Sequence, residues 1–129
     1  MVVAPYAPCL SCQACDRGHF SLCENIFDTF LEPGGFAEVV RVPKRIVEQA
    51  LLHIPTGLDF ETASLTEPLA CCLHGLDVLA IKAGQSLLVM GDSPMGLLQA
   101  VAAKTIGAEP IILSGMTPAR LDFARRIVD

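Results

Sequence analysis

The sequence predicts an α/β fold in which a loop-rich first part with short strands precedes a second part laid out as strand, helix, strand, helix. Three observations carry that reading. Two short apolar runs, Ser86 to Met90 and Pro110 to Leu113, are each followed by a helix-like stretch, Met95 to Ile106 and Pro118 to Val128. Strands that alternate with helices in this way imply a parallel sheet. Upstream, four of the six cysteines crowd between Cys9 and Cys23 in a stretch with neither a helical nor an alternating period, so this region reads as a loop folded around something. The turn-forming run Thr56-Gly57-Leu58-Asp59 is the expected junction, giving parts 1–56 and 57–129.

Taken in order, Met1 to Ala4 is apolar and β-branched and suits a short strand that ends at the Pro5 to Pro8 turn. After Pro33-Gly34-Gly35, the segment Phe36 to Val42 alternates well enough to predict a half-buried strand ending at Pro43. Leu52 to Pro55 reads as a short extended piece, and Asp59 is placed to cap the helix that follows. From Phe60 to Ala80 apolar residues are dense on nearly all sides, which predicts one or two buried helices interrupted near Pro68. Cys71 and Cys72 then read as small core residues and His74 as a core histidine.

Composition narrows the partners. Nine Lys and Arg against 14 Asp and Glu give a net charge of -5, so no basic field draws a nucleic-acid backbone. Hydrophobic residues make up 52% of the chain, yet no apolar run is long enough for a bilayer, so a buried surface accounts for them. The start lacks a secretory signal pattern, and the expected location is the cytoplasm. In a reducing compartment, crowded cysteines favour metal over disulfides.

The cysteine spacing is C-x2-C-x2-C-x7-C at Cys9, Cys12, Cys15 and Cys23. Four thiolates in one loop can close around a tetrahedral zinc ion, and a closed shell leaves no position for water or substrate, so the expected role is structural. Bacterial ferredoxins also begin C-x2-C-x2-C, but their fourth cysteine follows after three residues and precedes proline, whereas here Glu24 follows Cys23. An iron-sulfur electron carrier is the rival reading of this loop. His19 reads as a solvated loop residue, because four thiolates already complete a shell.

The turn Gly91-Asp92-Ser93-Pro94-Met95-Gly96 lies between a strand and a helix, the setting of a dinucleotide fingerprint. Gly91 permits the tight turn, Gly96 lets the helix approach the strand, and amides of the helix start, around Ser93, Pro94 and Met95, are expected to meet a pyrophosphate. Ser93 stands where the fingerprint has its middle glycine. An ordinary strand-to-helix turn is the alternative. At the end of the second strand a dinucleotide fold places an acid for the adenosine ribose, whereas this chain has Ser114-Gly115. Thr117 and Arg120 are candidate acceptors for a 2′-phosphate, with Arg120 equally readable as a solvated helix-start residue, so the cofactor choice between NAD and NADP stays open.

The two motifs in this order resemble the zinc-containing medium-chain dehydrogenase/reductase superfamily, and within it the sorbitol and threonine dehydrogenase branch. The resemblance rests on Val2-Val3-Ala4-Pro5, the cysteine lobe, GGFAEVV from Gly34, HIPTGLDFETASLTEPLA from His53, GDSPMGLLQ from Gly91 and ARLDFAR from Ala119. It implies a partial GroES-like catalytic domain over 1–56, with the zinc lobe at 9–23, followed by the first part of a Rossmann domain over 57–129. It further implies hydride transfer between a secondary alcohol, polyol or hydroxy-amino acid and NAD(P), in an enzyme that forms homo-oligomers. The glutamate of the family's E-P-L sequence lies at a catalytic zinc and corresponds to Glu67, which without the resemblance reads as a helix-start acid. Family members carry a further zinc-binding cysteine and a Gly-His-Glu motif that have no match here, so the chain alone is expected to be inactive. A non-catalytic, zinc-braced nucleotide-binding module is the second reading.

Overall fold

A computed structural model describes residues 1–128; Asp129, the last residue of the expected second part, lies outside the described residues. The chain divides into two compact units, Met1–Ala63 and Ser64–Asp129.

In the first unit, strand β1 (Val2–Val3) pairs antiparallel with β2 (Leu51–Leu52), with Val2 opposite Leu52. The pairing continues one residue further, where the Ala4 N–H donates to Ala50 O at 3.0 Å. Between the cysteines lie one turn of helix, α1 (Gln13–Asp16), and a 3-10 turn at Phe20–Leu22. Helix α2 (Lys44–Ala50) buries Ile46 completely and leads directly into β2. Helix α3 (Phe60–Ala63) closes the unit, and the Asp59 carboxylate accepts the Thr62 N–H at 2.6 Å, which satisfies one of the orphan amides of a helix start.

Two expectations change here. Phe36 to Val42 does not form a strand: among the described residues its single ladder contact is the Glu32–Arg41 bridge, and Phe36 and Val39 project into solvent. An alternating segment becomes a strand only when a neighbour takes its N–H and C=O groups, and here only Arg41 finds one. Helix α2 has no counterpart in the sequence reading. Its faint signals are the Lys44–Glu48 spacing, realised as an exposed i,i+4 ion pair at 2.8 Å, and the single inward Ile46.

In the second unit, helix α4 (Thr66–Val78) precedes β3 (Leu87–Met90), α5 (Pro94–Thr105), β4 (Ile111–Ser114) and α6 (Pro118–Ala124). β3 and β4 pair in parallel from Leu87–Ile111 to Met90–Ser114, as alternation with helices requires. Small residues on α5, Ala100, Ala102 and Ala103, are buried and let this helix lie close to its neighbours. One cluster joins Ala102 and Ala103 to Cys72 and Leu76 of α4, and a second joins Ala100 to Val89 of β3 and to Val128. The opposite face of the sheet carries Leu88, Met90 and Ile112, all exposed. No helix among the described residues is long and apolar enough to cross a membrane.

The run from Phe60 to Ala80 breaks at Ser64 and Leu65 rather than near Pro68. Pro68 sits in the first turn of α4, where a missing N–H costs nothing because that amide has no intrahelical acceptor. Nor is the run buried on nearly all sides, since only Cys72 and Leu76 of α4 are enclosed. Cys71 and His74, read from sequence as core residues, are exposed, because α4 offers the rest of the unit a single narrow stripe. The last helix ends at Ala124, short of Val128.

Candidate functional site

The four lobe cysteines converge. Their sulfurs all lie within 4.8 Å of one another, with Cys12 to Cys15 at 3.5 Å and Cys12 to Cys23 at 3.9 Å. A tetrahedral ion with Zn–S bonds of about 2.3 Å sets its sulfurs about 3.8 Å apart, so the spacing fits one ion, whereas a disulfide needs about 2 Å and all six cysteines are free thiols. An iron-sulfur core would have to be interposed between sulfurs already this close.

Local backbone geometry produces the convergence. Leu10 adopts φ 57°, a left-handed conformation costing a non-glycine residue about 1–2 kcal/mol, which reverses the chain between Cys9 and Cys12. Gly18, at φ 77°, ends the α1 turn, and its N–H donates to Cys15 O at 2.9 Å. Donors then point at the sulfurs: the Cys9 N–H donates to Cys23 Sγ at 3.3 Å and the Asn25 side-chain amide to Cys9 Sγ at 3.5 Å. Arg45 of α2 donates to Asn25 O at 3.0 Å and to the Thr29 hydroxyl, fastening the loop beyond Cys23.

These donors set the protonation pattern. Hydrogen bonds from Ser11, then Asn25, bring the Cys9 thiol down to about 5, and the Cys15 and Glu24 amides lower Cys12. Cys15 goes the other way, to about 11, pushed first by desolvation and then by the neighbouring Cys12 sulfur. The lobe thus favours some thiolates by hydrogen bonding and resists accumulating all four, a resistance that a divalent cation removes. His19 is exposed, as expected.

The second site lies where β3 and β4 end. Gly91 follows β3 at φ 117°, a conformation disfavoured for side-chain-bearing residues, and its N–H donates to Ser114 O at 2.7 Å. Ser93 caps α5, its hydroxyl accepting the Gly96 N–H at 3.4 Å. This alters the expected phosphate cradle: Pro94 has no N–H, and the Gly96 amide is already engaged. A Cβ on Gly96 would lie 1.9 Å from Gly91 O, so helix and turn touch there as the fingerprint requires.

Sequence reasoning did not single out Asp92. It is the one buried polar residue among those described, and its Oδ2 accepts the Thr117 N–H at 2.6 Å, tying the turn after β3 to the loop after β4. That bond first, with a lesser contribution from the charge of Arg120, holds its carboxyl below the usual carboxylate range. Gly115 faces it so closely that a Cβ there would lie 2.4 Å from Asp92 Cβ. The only sequence signal was a glycine at the position where an acid is usual. With its folded-state pKa depressed, Asp92 contributes stability that is fully present above its unfolded value of about 3.9 and is lost as pH falls through the folded value. Urea midpoints measured from about pH 6 down to about pH 3 should therefore fall less steeply for Asp92→Asn than for the unaltered chain; parallel curves would remove Asp92 from the acid transition.

Glu67 sits on the exposed first turn of α4, where Cys71 Sγ donates to its Oε1 at 3.5 Å. Among the described residues, the lobe is the only place where three or more ligand-type side chains converge, and Glu67 is not part of it. Cys72 is buried, with its thiol directed at Met95 O at 3.8 Å.

No family model matches the chain. It is 30% identical over 98% of its length to sorbitol dehydrogenase of Bacillus subtilis and 36% identical over 93% of its length to L-galactonate-5-dehydrogenase of Escherichia coli. It spans 35% and 34% of those relatives, respectively. Among solved structures, a protein described as a zinc-binding dehydrogenase from Sinorhizobium meliloti, bound to NADP, superposes with a TM-score of 0.84 at 35% identity, over 98% of this chain and 36% of that one. An alcohol dehydrogenase from Thermus sp. ATN1 gives 0.82 at 27% identity, over 97% of this chain and 38% of its own.

Proposed function

We propose that this chain, 30% identical over 98% of its length to a sorbitol dehydrogenase of which it spans 35%, serves as part of an oxidoreductase passing a hydride between a secondary alcohol, polyol or hydroxy-amino acid and NAD or NADP. In this reading 1–56 is part of a GroES-like catalytic domain and 57–129 the first part of a Rossmann domain. The full-length enzyme is a cytoplasmic homo-oligomer acting on a small molecule, with neither nucleic acid nor membrane as a partner.

The observation that carries the proposal is the sulfur cage. Cys9, Cys12, Cys15 and Cys23 would hold a structural zinc, at spacings that suit one tetrahedral ion. At the strand ends, Gly91 would permit the tight turn and Gly96 the close approach of α5, so that the backbone around Ser93, Pro94 and Met95 would meet a pyrophosphate. Gly115, Thr117 and Arg120 border the adenosine ribose. Glu67 would stand at a second zinc, orienting it directly or through water. Zinc there supplies Lewis-acid polarisation of the alcohol oxygen.

The isolation of Glu67 favours one second reading, in which the chain by itself is a zinc-braced nucleotide-binding module without turnover. Elemental analysis of reduced protein should find one colourless zinc per chain and no iron. Iron with visible absorption would turn the lobe into an electron carrier, and metal-free but folded protein would remove the structural-zinc role.

A further inference from the structure

The geometry points to Asp92 as the ribose-binding acid that the end of β4 lacks, so that this chain selects NAD over NADP by a carboxylate reaching across from the turn after β3. The inference rests on the nucleotide-binding reading above.

A dinucleotide fold that prefers NAD presents an acid at the end of its second strand, hydrogen-bonded to the adenosine ribose 2′-hydroxyl. That strand is β4, and the residue after it is Gly115. The space its side chain would fill is not empty: a Cβ on Gly115 would lie 2.4 Å from Asp92 Cβ, 2.5 Å from Cγ and 2.8 Å from Oδ2. A carboxylate therefore stands where a side chain at 115 would begin, supplied from a different loop. Asp92 and a larger residue at 115 exclude one another, which accounts for the glycine.

The carboxylate is also fixed. Thr117 N–H holds Oδ2 at 2.6 Å, and only 8% of Asp92 is exposed. An ionised carboxylate offers about four lone-pair sites, so one amide donor leaves acceptor capacity for a hydroxyl. A 2′-phosphate placed there would meet a like charge held in position, a juxtaposition that costs affinity. Arg120, the cation available to a 2′-phosphate, already lies within the electrostatic reach of Asp92.

The test is equilibrium binding of NAD+ and of NADP+ to the 129-residue chain, followed by calorimetry on the same pair with two variants. The unaltered chain should bind NAD+ at least about tenfold more tightly. Asp92→Ala should bring the two affinities to within about threefold. Combining Asp92→Gly with Gly115→Asp should restore the preference, because it returns the acid to the strand end; glycine at 92 also removes the Cβ that lies 2.4 Å from a Cβ at 115, and Gly115 does not need a left-handed backbone. Should the single variant fail to fold, the unaltered chain and the double variant still decide the matter. Equal affinities or an NADP+ preference in the unaltered chain, or a preference that survives in folded Asp92→Ala, would overturn the role of Asp92 alone. Binding of neither nucleotide would overturn the nucleotide-binding reading itself, and this inference with it.

Discussion

Cys12→Ser should abolish stoichiometric zinc and unfold the loop from Cys9 to Asn25. Little else organises this unit. Its two strands have two residues each, and its fully enclosed side chains apart from the lobe cysteines are Ala7, Ile46 and Ala63. A structural zinc site is worth about 10–16 kcal/mol in apparent binding energy, as much as the whole net stability of a typical domain, about 5–15 kcal/mol. Cys12 Sγ lies 3.5 Å from Cys15 Sγ and 3.9 Å from Cys23 Sγ, so its loss removes one corner of the sulfur cage. Replacing it with a hydroxyl leaves three thiolates around a divalent ion that prefers sulfur. Hydrogen exchange resolves the effect by location: protection at the Asp16, Gly18 and Cys23 amides, which bond to Cys12, Cys15 and Phe20 carbonyls, should vanish, while the β3–β4 amides keep theirs. Cys71→Ser is the control, an exposed thiol outside the lobe whose loss should leave the zinc content unchanged. Cys12→Ser protein that retains its zinc and its lobe protection would mean that the metal is not held as argued.

The two units differ in how much of them the sequence reveals, and the difference is physical. β3, α5, β4 and α6 declare themselves because each satisfies most of its own backbone or pairs with the next strand in line. Their composition therefore suffices, and the observed boundaries of β3, α5 and β4 fall within a residue of those expected, while α6 begins at Pro118 as expected but ends at Ala124 rather than Val128. Phe36 to Val42 has the right alternation but no partner, and partners are not written into a local pattern. α2 is hidden for the opposite reason: with only Ile46 turned inward and no side-chain cap, it has almost no periodic signal and depends on its contacts with β1 and β2. The convergence of the lobe was legible as spacing, since C-x2-C-x2-C-x7-C places all four cysteines on one short loop. The Asp92–Gly115 approach was not. It joins residues from two different loops, and only folding shows that the glycine makes room for that particular carboxylate.

Gly96→Ala should be the most damaging single-methyl change in the second unit. The added Cβ would lie 1.9 Å from Gly91 O and 2.9 Å from Gly91 C, both backbone atoms, so no side-chain rotation relieves the overlap. Gly91 cannot easily retreat, because its N–H is bonded to Ser114 O at 2.7 Å. α5 cannot withdraw cheaply either, since Ala100, Ala102 and Ala103 are enclosed against the sheet and α4. Overpacking typically costs about 1–3 kcal/mol and occasionally more; a backbone collision between two anchored elements belongs at the upper end, about 3 kcal/mol. Gly75→Ala supplies the comparison. Gly75 lies inside α4 and its added Cβ would meet nothing closer than Gln99 Oε1 at 3.8 Å, so the gain in helix propensity, up to about 1 kcal/mol, should appear unopposed. Urea unfolding of the two variants should thus move in opposite directions although the chemical change is the same. The Gly96→Ala protein that remains folded should also lose its nucleotide affinity, because the turn that approaches the pyrophosphate has been forced outward. Equal stability of both alanine variants would show that α5 does not press on the turn, and the close-approach role of Gly96 would have to be given up.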